Sequence, residues 1–88
     1  MQSAERMQLI ESRLQKAFQP KILRVMDDSA KHAGHAGSAG GAGHYTVEIA
    51  SDHFQDLSRV AVHRAVYAEL NDLIPDEIHA LRIRIVKQ

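Results

Sequence analysis

The segment from Asp28 to Gly43 constrains the fold of this chain more than any other part of its sequence. It holds all five glycines of the 88 residues and no apolar residue larger than alanine. Such a stretch cannot fill a hydrophobic core, so the core must come from the residues on either side of it. It is also much longer than the roughly two to five residues of most hairpin loops. We therefore predict a flexible loop at 28–43 that is disordered, functional or both.

Hydrophobic periodicity predicts a helix and a strand before this loop. From Ala4 to Gln19, apolar residues recur at spacings of three, four and seven, which is typical of one buried helical face. Ser3 is expected to cap the start of this helix, and Pro20 is expected to end it. The run from Lys21 to Asp27 is short, apolar and partly alternating, which indicates a strand.

After the loop, the pattern predicts a strand, a helix and a second strand. Residues from His44 to Ser51 alternate between apolar and polar types, as in a half-buried strand. The segment from Ser58 to Leu73 places apolar residues on one helical face, with Ser58 as its N-cap and Pro75 as its stop. The final run from Ile78 to Val86 alternates again and predicts the third strand.

These elements predict a single small α/β (α+β) domain over residues 1–88, with the order αββαβ. The first two strands are expected to pair antiparallel. The β-α-β unit that follows favours a right-handed crossover with its two strands parallel. A three-stranded mixed sheet with both helices on one face would bury Phe18, Val66 and Ile83 together.

The composition limits the kinds of function that this chain can carry. Eleven Lys and Arg balance eleven Asp and Glu, so no global positive field draws the chain to a phosphate backbone. Cysteine is absent, which excludes disulfides, thiol nucleophiles and an iron–sulfur site built only from the chain's own thiolates. Neither a GxSxG motif nor a GxxxxGKS or GxxxxGKT phosphate loop occurs. We therefore expect a binding protein and not an enzyme.

The N-terminal segment predicts neither export nor membrane insertion. It carries charges where a signal peptide needs an apolar core, and nowhere do about 18 apolar residues run together. We expect a cytoplasmic protein without a membrane partner.

The histidines are the residues most suited to metal chemistry. On the loop, His32 and His35 could ligate a borderline metal once a partner completes the site, although a solvated loop with idle histidines is an equal alternative. His79 begins the last strand, a rigid position from which an imidazole can project. Alone it is more simply structural, but together with a loop histidine it would let the loop close over a metal centre. His44 and His53 border the second strand and are interpreted as structural.

A polar stripe lies beside the apolar face of the second predicted helix. Arg59, His63 and Tyr67 are spaced four residues apart, so they share one side of the helix. A structural or solvated role is favoured over a contact surface.

Three segments of the sequence, taken in order, resemble signatures of the BolA family. They are HYTVEIASDHF at 44–54, VHRAVYAEL at 62–70 and IHALRIRI at 78–85. The resemblance covers nearly the whole chain and implies a small αββαβ domain similar to a class II KH fold without that fold's GXXG nucleic-acid loop. The segment DDSAKHAGHAG at 27–37 also resembles the family branch with histidine, not cysteine, in its first hairpin loop.

The resemblance implies a role in iron–sulfur cluster trafficking or iron signalling. It implies a monothiol glutaredoxin as partner, with a 2Fe–2S cluster shared between the two proteins and glutathione and no cluster in the isolated chain. His79 is the implied ligand on the rigid side. For the loop ligand, counting forward from Ser29 selects His32, and counting back from the HYTV strand selects His35. Of the two, His32 is preferred.

Two other classes of function stay open. A DNA-binding regulator, as the resemblance implies for some members, would need cations of the second helix and third strand on one surface. The candidate contacts are Arg59, His63, Arg64, Arg82 and Arg84. The other alternative is a module that docks on a glutaredoxin without any cluster. Alone, the chain is expected to be a monomer or a weak homodimer.

Overall fold

Among the described residues, two helices and three strands follow one another in the predicted order αββαβ. The computed structural model describes residues 2–29 and 43–87. Its elements are helix α1 (Ser3–Phe18), strands β1 (Ile22–Asp27) and β2 (Gly43–Ala50), helix α2 (Arg59–Leu70) and strand β3 (Ile78–Ile85). The predicted loop at 28–43 lies outside the described residues except for its two ends.

The three strands form one mixed sheet in the order β1-β2-β3, as predicted. Strand β1 pairs antiparallel with β2, and β3 pairs parallel with β2. Val25, Val47 and Ile83 are directly paired across the sheet, and all three are buried in the core. Both helices pack on that face, through residues that include Ile10 of α1 and Val66 of α2. Phe18 packs against this core at its margin.

Helix α1 ends before Pro20 as predicted, but its start differs from the prediction. At its end, Gln19 adopts a left-handed conformation (φ 42°) and donates its backbone N–H to the carbonyl of Gln15, before Pro20. The prediction that Ser3 caps the start is wrong. Gln2 occupies the cap position, and Ser3 is already helical. Its hydroxyl instead bonds to Asp27 and lies 3.2 Å from the Tyr45 hydroxyl, so the side chain is used for tertiary contacts.

Helix α2 starts as predicted but ends earlier. The hydroxyl of Ser58 accepts the N–H of Ala61 at 3.1 Å, which confirms the N-cap. The helix ends at Leu70, and the chain tightens into a 3-10 turn, Asn71–Leu73, so the predicted extension to Leu73 is wrong as α-helix. The spacing of three between Leu70 and Leu73 suits this tighter turn, which still buries both leucines.

Strand β2 is buried on both faces, and the prediction of a half-buried strand is wrong. Thr46 and Ala50 lie on the side away from the helices, which we call the open face, yet they are only 6% and 2% exposed. Thr46 is flanked across the sheet by Met26 and Arg82, and its hydroxyl bonds to Asp28. Arg24 and Arg84 bridge Glu48 from both sides at 3.2 and 3.1 Å.

Candidate functional site

His79 occupies a shift of register in strand β3. Gly43 pairs with Ile78, whereas the next residue, His44, pairs with Ala80, so His79 is an extra residue in the ladder. Ile78 and Ile83 are both in the core although they are five residues apart, which strict alternation does not allow. The bulge at His79 resolves this conflict and leaves its side chain exposed.

The ring of His44 packs against the ring of His79. Their centroids are 5.2 Å apart and their planes are tilted by 51°. His44 is only 8% exposed. Its backbone N–H donates to the Ser29 hydroxyl at 3.1 Å, and its carbonyl accepts the N–H of Asp28 at 2.7 Å. The described residues on both sides of the segment 30–42 therefore meet beside His79.

The interpretation of His44 as structural did not include its contact with the ring of His79. One signal was available. Ile78 and Leu81 are three residues apart, which breaks the alternation of the strand and indicates a bulge between them. The contact with His44 had no local signal, because it depends on the register between two strands that are separated by a helix.

A polar network holds the chain just before His79. The carbonyl of Glu77 accepts the N–H of Gly43 at 3.0 Å, and its carboxylate accepts a hydrogen bond from Arg6 at 3.1 Å. A hydrogen bond with Tyr45 is the main cause that raises the pKa of Arg6, with Glu77 contributing. Glycine is required at position 43, since an added Cβ would lie 2.2 Å from the buried Tyr45 ring.

Asp27 joins this network at the end of β1. Burial alone would raise the pKa of its carboxyl group, but several interactions outweigh burial and lower that pKa below its usual value of 3.8. They are hydrogen bonds from Ser29 and Ser3 and the positive charge of Arg6. The Ser29 N–H contributes one of these bonds at 2.8 Å.

The open face carries a cleft that is lined by His44, the ring neighbour of His79. Its volume is about 290 Å³, and its lining includes Asp28, His44, Thr46, Ala80 and Arg82. The Thr46 hydroxyl bonds to the carboxylate of Asp28 across this cleft. A partner that approaches His79 from the open face therefore meets a carboxylate, a guanidinium and a small alanine.

The other candidate contacts lie in three different places. Arg59, His63 and Arg84 line a cleft of about 240 Å³ between α2 and β3. His63 is half-buried there, with its ring nitrogens 2.8 Å from the Arg59 carbonyl and 3.2 Å from the Ile83 carbonyl. Arg82 lies in the cleft on the open face, and Arg64 is exposed on α2 and lines neither cleft. Arg59 and Arg84 thus line the same cleft, while the Arg84 guanidinium pairs with Glu48 on the open face, so the five candidates do not form one surface.

The described residues offer an imidazole but not a complete metal site. His32 and His35 lie outside the described residues. Within 2–29 and 43–87, no group of three or more His, Cys, Asp and Glu side chains could hold a metal ion. An exposed imidazole fits the chemistry of a single ligand to an iron–sulfur cluster, because iron accepts histidine in Rieske centres. Any further ligands would have to come from outside the described residues.

Comparison with known proteins identifies the family. The family model described as BolA-like protein matches residues 14–88 of the chain. The chain belongs to the BolA-like family. This confirms the assignment made from its three sequence segments.

Curated relatives and solved structures agree with this membership. The BolA-like chain is 39% identical over 75 residues to the DNA-binding transcriptional regulator BolA of Vibrio cholerae, covering 85% of this chain and 68% of that protein. It is 42% identical over 79 residues to SufE-like protein 1 of Arabidopsis thaliana, covering 84% of this chain but 21% of that protein. The BolA domain of SufE1 from Arabidopsis thaliana superposes with a TM-score of 0.80 at 37% identity, covering 97% of this chain and 92% of that domain.

The names of these relatives describe a regulator, a SufE-like protein and a BolA domain, and none of these names describes an enzyme. Neither described helix of the BolA-like chain has the length and apolar character needed to cross a bilayer.

Proposed function

We propose that this BolA-like protein binds a monothiol glutaredoxin and shares a bridged 2Fe–2S cluster with it, in iron–sulfur trafficking or iron signalling. The observation that supports this most is the exposed imidazole of His79 on a bulge of the sheet. Bulges often re-aim a side chain next to a functional site. A ligand on a strand is also held more precisely than a ligand on a loop.

The chemistry of the chain agrees with a shared cluster. Iron–sulfur clusters favour thiolate ligands, and this chain has no cysteine. Thiolates from the glutaredoxin and glutathione would bind one iron, and imidazoles of this chain would bind the other. The proposed imidazoles are that of His79 and that of either His32 or His35. The latter two residues lie outside the described residues. Such asymmetric ligation resembles that of Rieske centres and raises the reduction potential.

The chain's own residues have a defined task in this proposal. The hydrogen bonds of Glu77 with Gly43 and Arg6 fix the backbone two residues before His79. The bonds of His44 with Asp28 and Ser29 hold the two ends of the segment 30–42 beside His79. A histidine from that segment would therefore have a short path to a cluster bound at His79.

Titration with a cluster-loaded monothiol glutaredoxin tests the proposal. We expect a 1:1 complex with altered visible absorption and circular dichroism, and we expect His79→Ala to abolish the change. His53→Ala is a matched control, because the exposed His53 ring contacts Gln19. Substituting His32 and His35 in turn identifies the loop ligand. If the His79→Ala complex gives the same spectrum as the wild-type complex, the ligand assignment is refuted. If the protein binds cluster-free glutaredoxin as tightly as the cluster-loaded form, docking without a cluster is favoured.

DNA binding is a second candidate, favoured by the cleft that Arg59 and Arg84 both line. The Vibrio cholerae relative is named a DNA-binding transcriptional regulator. Neutral overall charge makes this candidate weaker, because phosphate contacts supply much of the affinity for DNA. Duplex binding that weakens with salt and with Arg84→Ala, but survives His79→Ala, would support it. Absence of binding at low salt would remove it.

A further inference from the structure

We propose that His44 is a positioning residue that fixes the direction of the His79 imidazole. This inference rests on the proposed function in so far as His79 is a cluster ligand. The bulge sets where the Cα–Cβ bond of His79 points, but it does not fix the rotation of the ring. Ala80, the next residue, offers only a methyl group. The ring of His79 packs against the ring of His44, with 5.2 Å between the two centroids.

The surroundings of His44 hold this residue in a fixed position. It lies in the central strand, with β1 on one side and β3 on the other. Its N–H and carbonyl are both hydrogen-bonded, to Ser29 and to Asp28. A residue held in this way can restrict a neighbour without moving itself.

Burial separates the role of His44 from that of a ligand. Both ring nitrogens of His44 are shielded from solvent. An approaching cluster would have to displace the strand or its surroundings to reach them, whereas the neighbouring His79 is exposed. In this proposal the buried ring of His44 supports the exposed ring of His79, and the His79 ring binds the cluster. Tilted aromatic pairs at this separation attract one another.

A comparison of two substitutions separates packing from nitrogen chemistry. His44→Phe keeps a ring of similar size and removes both nitrogens, whereas His44→Ala removes the ring. In the free protein, the carbon relaxation of the His79 ring at Cδ2 reports its order parameter. We expect an ordered ring in the wild type and in His44→Phe, and a disordered ring in His44→Ala.

The same variants are then titrated with the cluster-loaded glutaredoxin. We expect His44→Phe to bind like the wild type, and His44→Ala to bind several-fold, up to about tenfold, more weakly. A disordered His79 ring in the wild-type protein overturns the proposal, and this measurement needs no variant to fold. An ordered ring in a folded His44→Ala protein also overturns it. Loss of binding in His44→Phe with an ordered His79 ring would assign the role to a His44 nitrogen instead.

The two readouts keep this inference distinct from the proposed function. The order parameter is measured without glutaredoxin or cluster, so it tests positioning by itself. If His79→Ala leaves the cluster spectrum unchanged while His44→Ala disorders the ring, the positioning role stands and the proposed function fails.

Discussion

The hydroxyl of Tyr67 donates a hydrogen bond to the backbone carbonyl of Leu81 at 2.7 Å. Four residues earlier on α2, a ring nitrogen of His63 lies 3.2 Å from the carbonyl of Ile83. Four helical residues advance about 6 Å and two strand residues about 6.6 Å, so the spacings of helix and strand match. The predicted polar stripe of α2 therefore covers the outer edge of β3, which agrees with its structural interpretation.

Removing the Tyr67 hydroxyl should weaken this cover. We expect Tyr67→Phe to lower the free energy of unfolding by about 0.5–1 kcal/mol, because the Leu81 carbonyl loses a donor but regains some water at a half-exposed site. Urea denaturation measures the change. Arg64→Gln, on the exposed side of the same helix, should stay within about 0.5 kcal/mol of the wild type. Equal stabilities of Tyr67→Phe and the wild type would contradict the role of this bond.

Adding one methyl group at position 43 should be costly. The Cβ of Gly43→Ala would lie 2.2 Å from the ring of Tyr45, which is 1% exposed and cannot turn into solvent without leaving the core. We expect a loss of about 1–3 kcal/mol in the free energy of unfolding, typical of overpacking. Thermal and urea denaturation measure it. Ala68→Ser on the exposed side of α2 adds one atom without a clash and serves as the control.

Charge on the open face should contribute in a salt-dependent way. Glu48 is bridged by Arg24 and Arg84, and its side chain is 14% exposed. We expect Glu48→Gln to cost about 1 kcal/mol at low salt and less at high salt, because both arginines are themselves mostly exposed. Lys21→Gln, which removes a pair whose two side chains are exposed, should change stability little. A loss for Glu48→Gln that is the same at all salt concentrations would argue against an ionic cause.

Asp27 should make stability depend on pH in the acidic range. Its folded-state pKa lies below the usual 3.8, so its contribution is complete above that value and is lost as the pH falls through the folded pKa. The stability difference between the wild type and Asp27→Asn should therefore be constant near neutral pH and shrink below pH 3.8. Urea denaturation at a series of pH values measures it. A difference that grows with acidity would contradict this sign.

Local patterns in the sequence were enough to predict the order of elements and the face that each helix buries. The N-cap at Ser58 followed from residue type and position, because a hydroxyl directly before a helix can accept one of its first backbone N–H groups. Ser3 has the same chemistry but bonds to Asp27, since a tertiary partner was available there. Such competition between local and distant partners is not visible along the chain.

The missed parts of the site depend on pairing across the sheet. The burial of Thr46 depends on its neighbours across the ladder, Met26 and Arg82, and on Asp28, to which its hydroxyl bonds. The contact between His44 and His79 depends on the shift of register. The choice between His32 and His35 stays a prediction, because both lie outside the described residues.

The bulge places the exposed side chain of His79 at a position that the pairing of β3 with β2 does not need. Because His79 is the extra residue between the pairs Gly43–Ile78 and His44–Ala80, a chain without it would still keep Ile78 and Ile83 on the core face. A single deletion beyond Ile83, where the ladder has no extra residue, would instead turn Ile85 to the opposite face. Position 79 is thus a place where natural variation or a designer could change the exposed side chain, or remove it, while the sheet keeps its register.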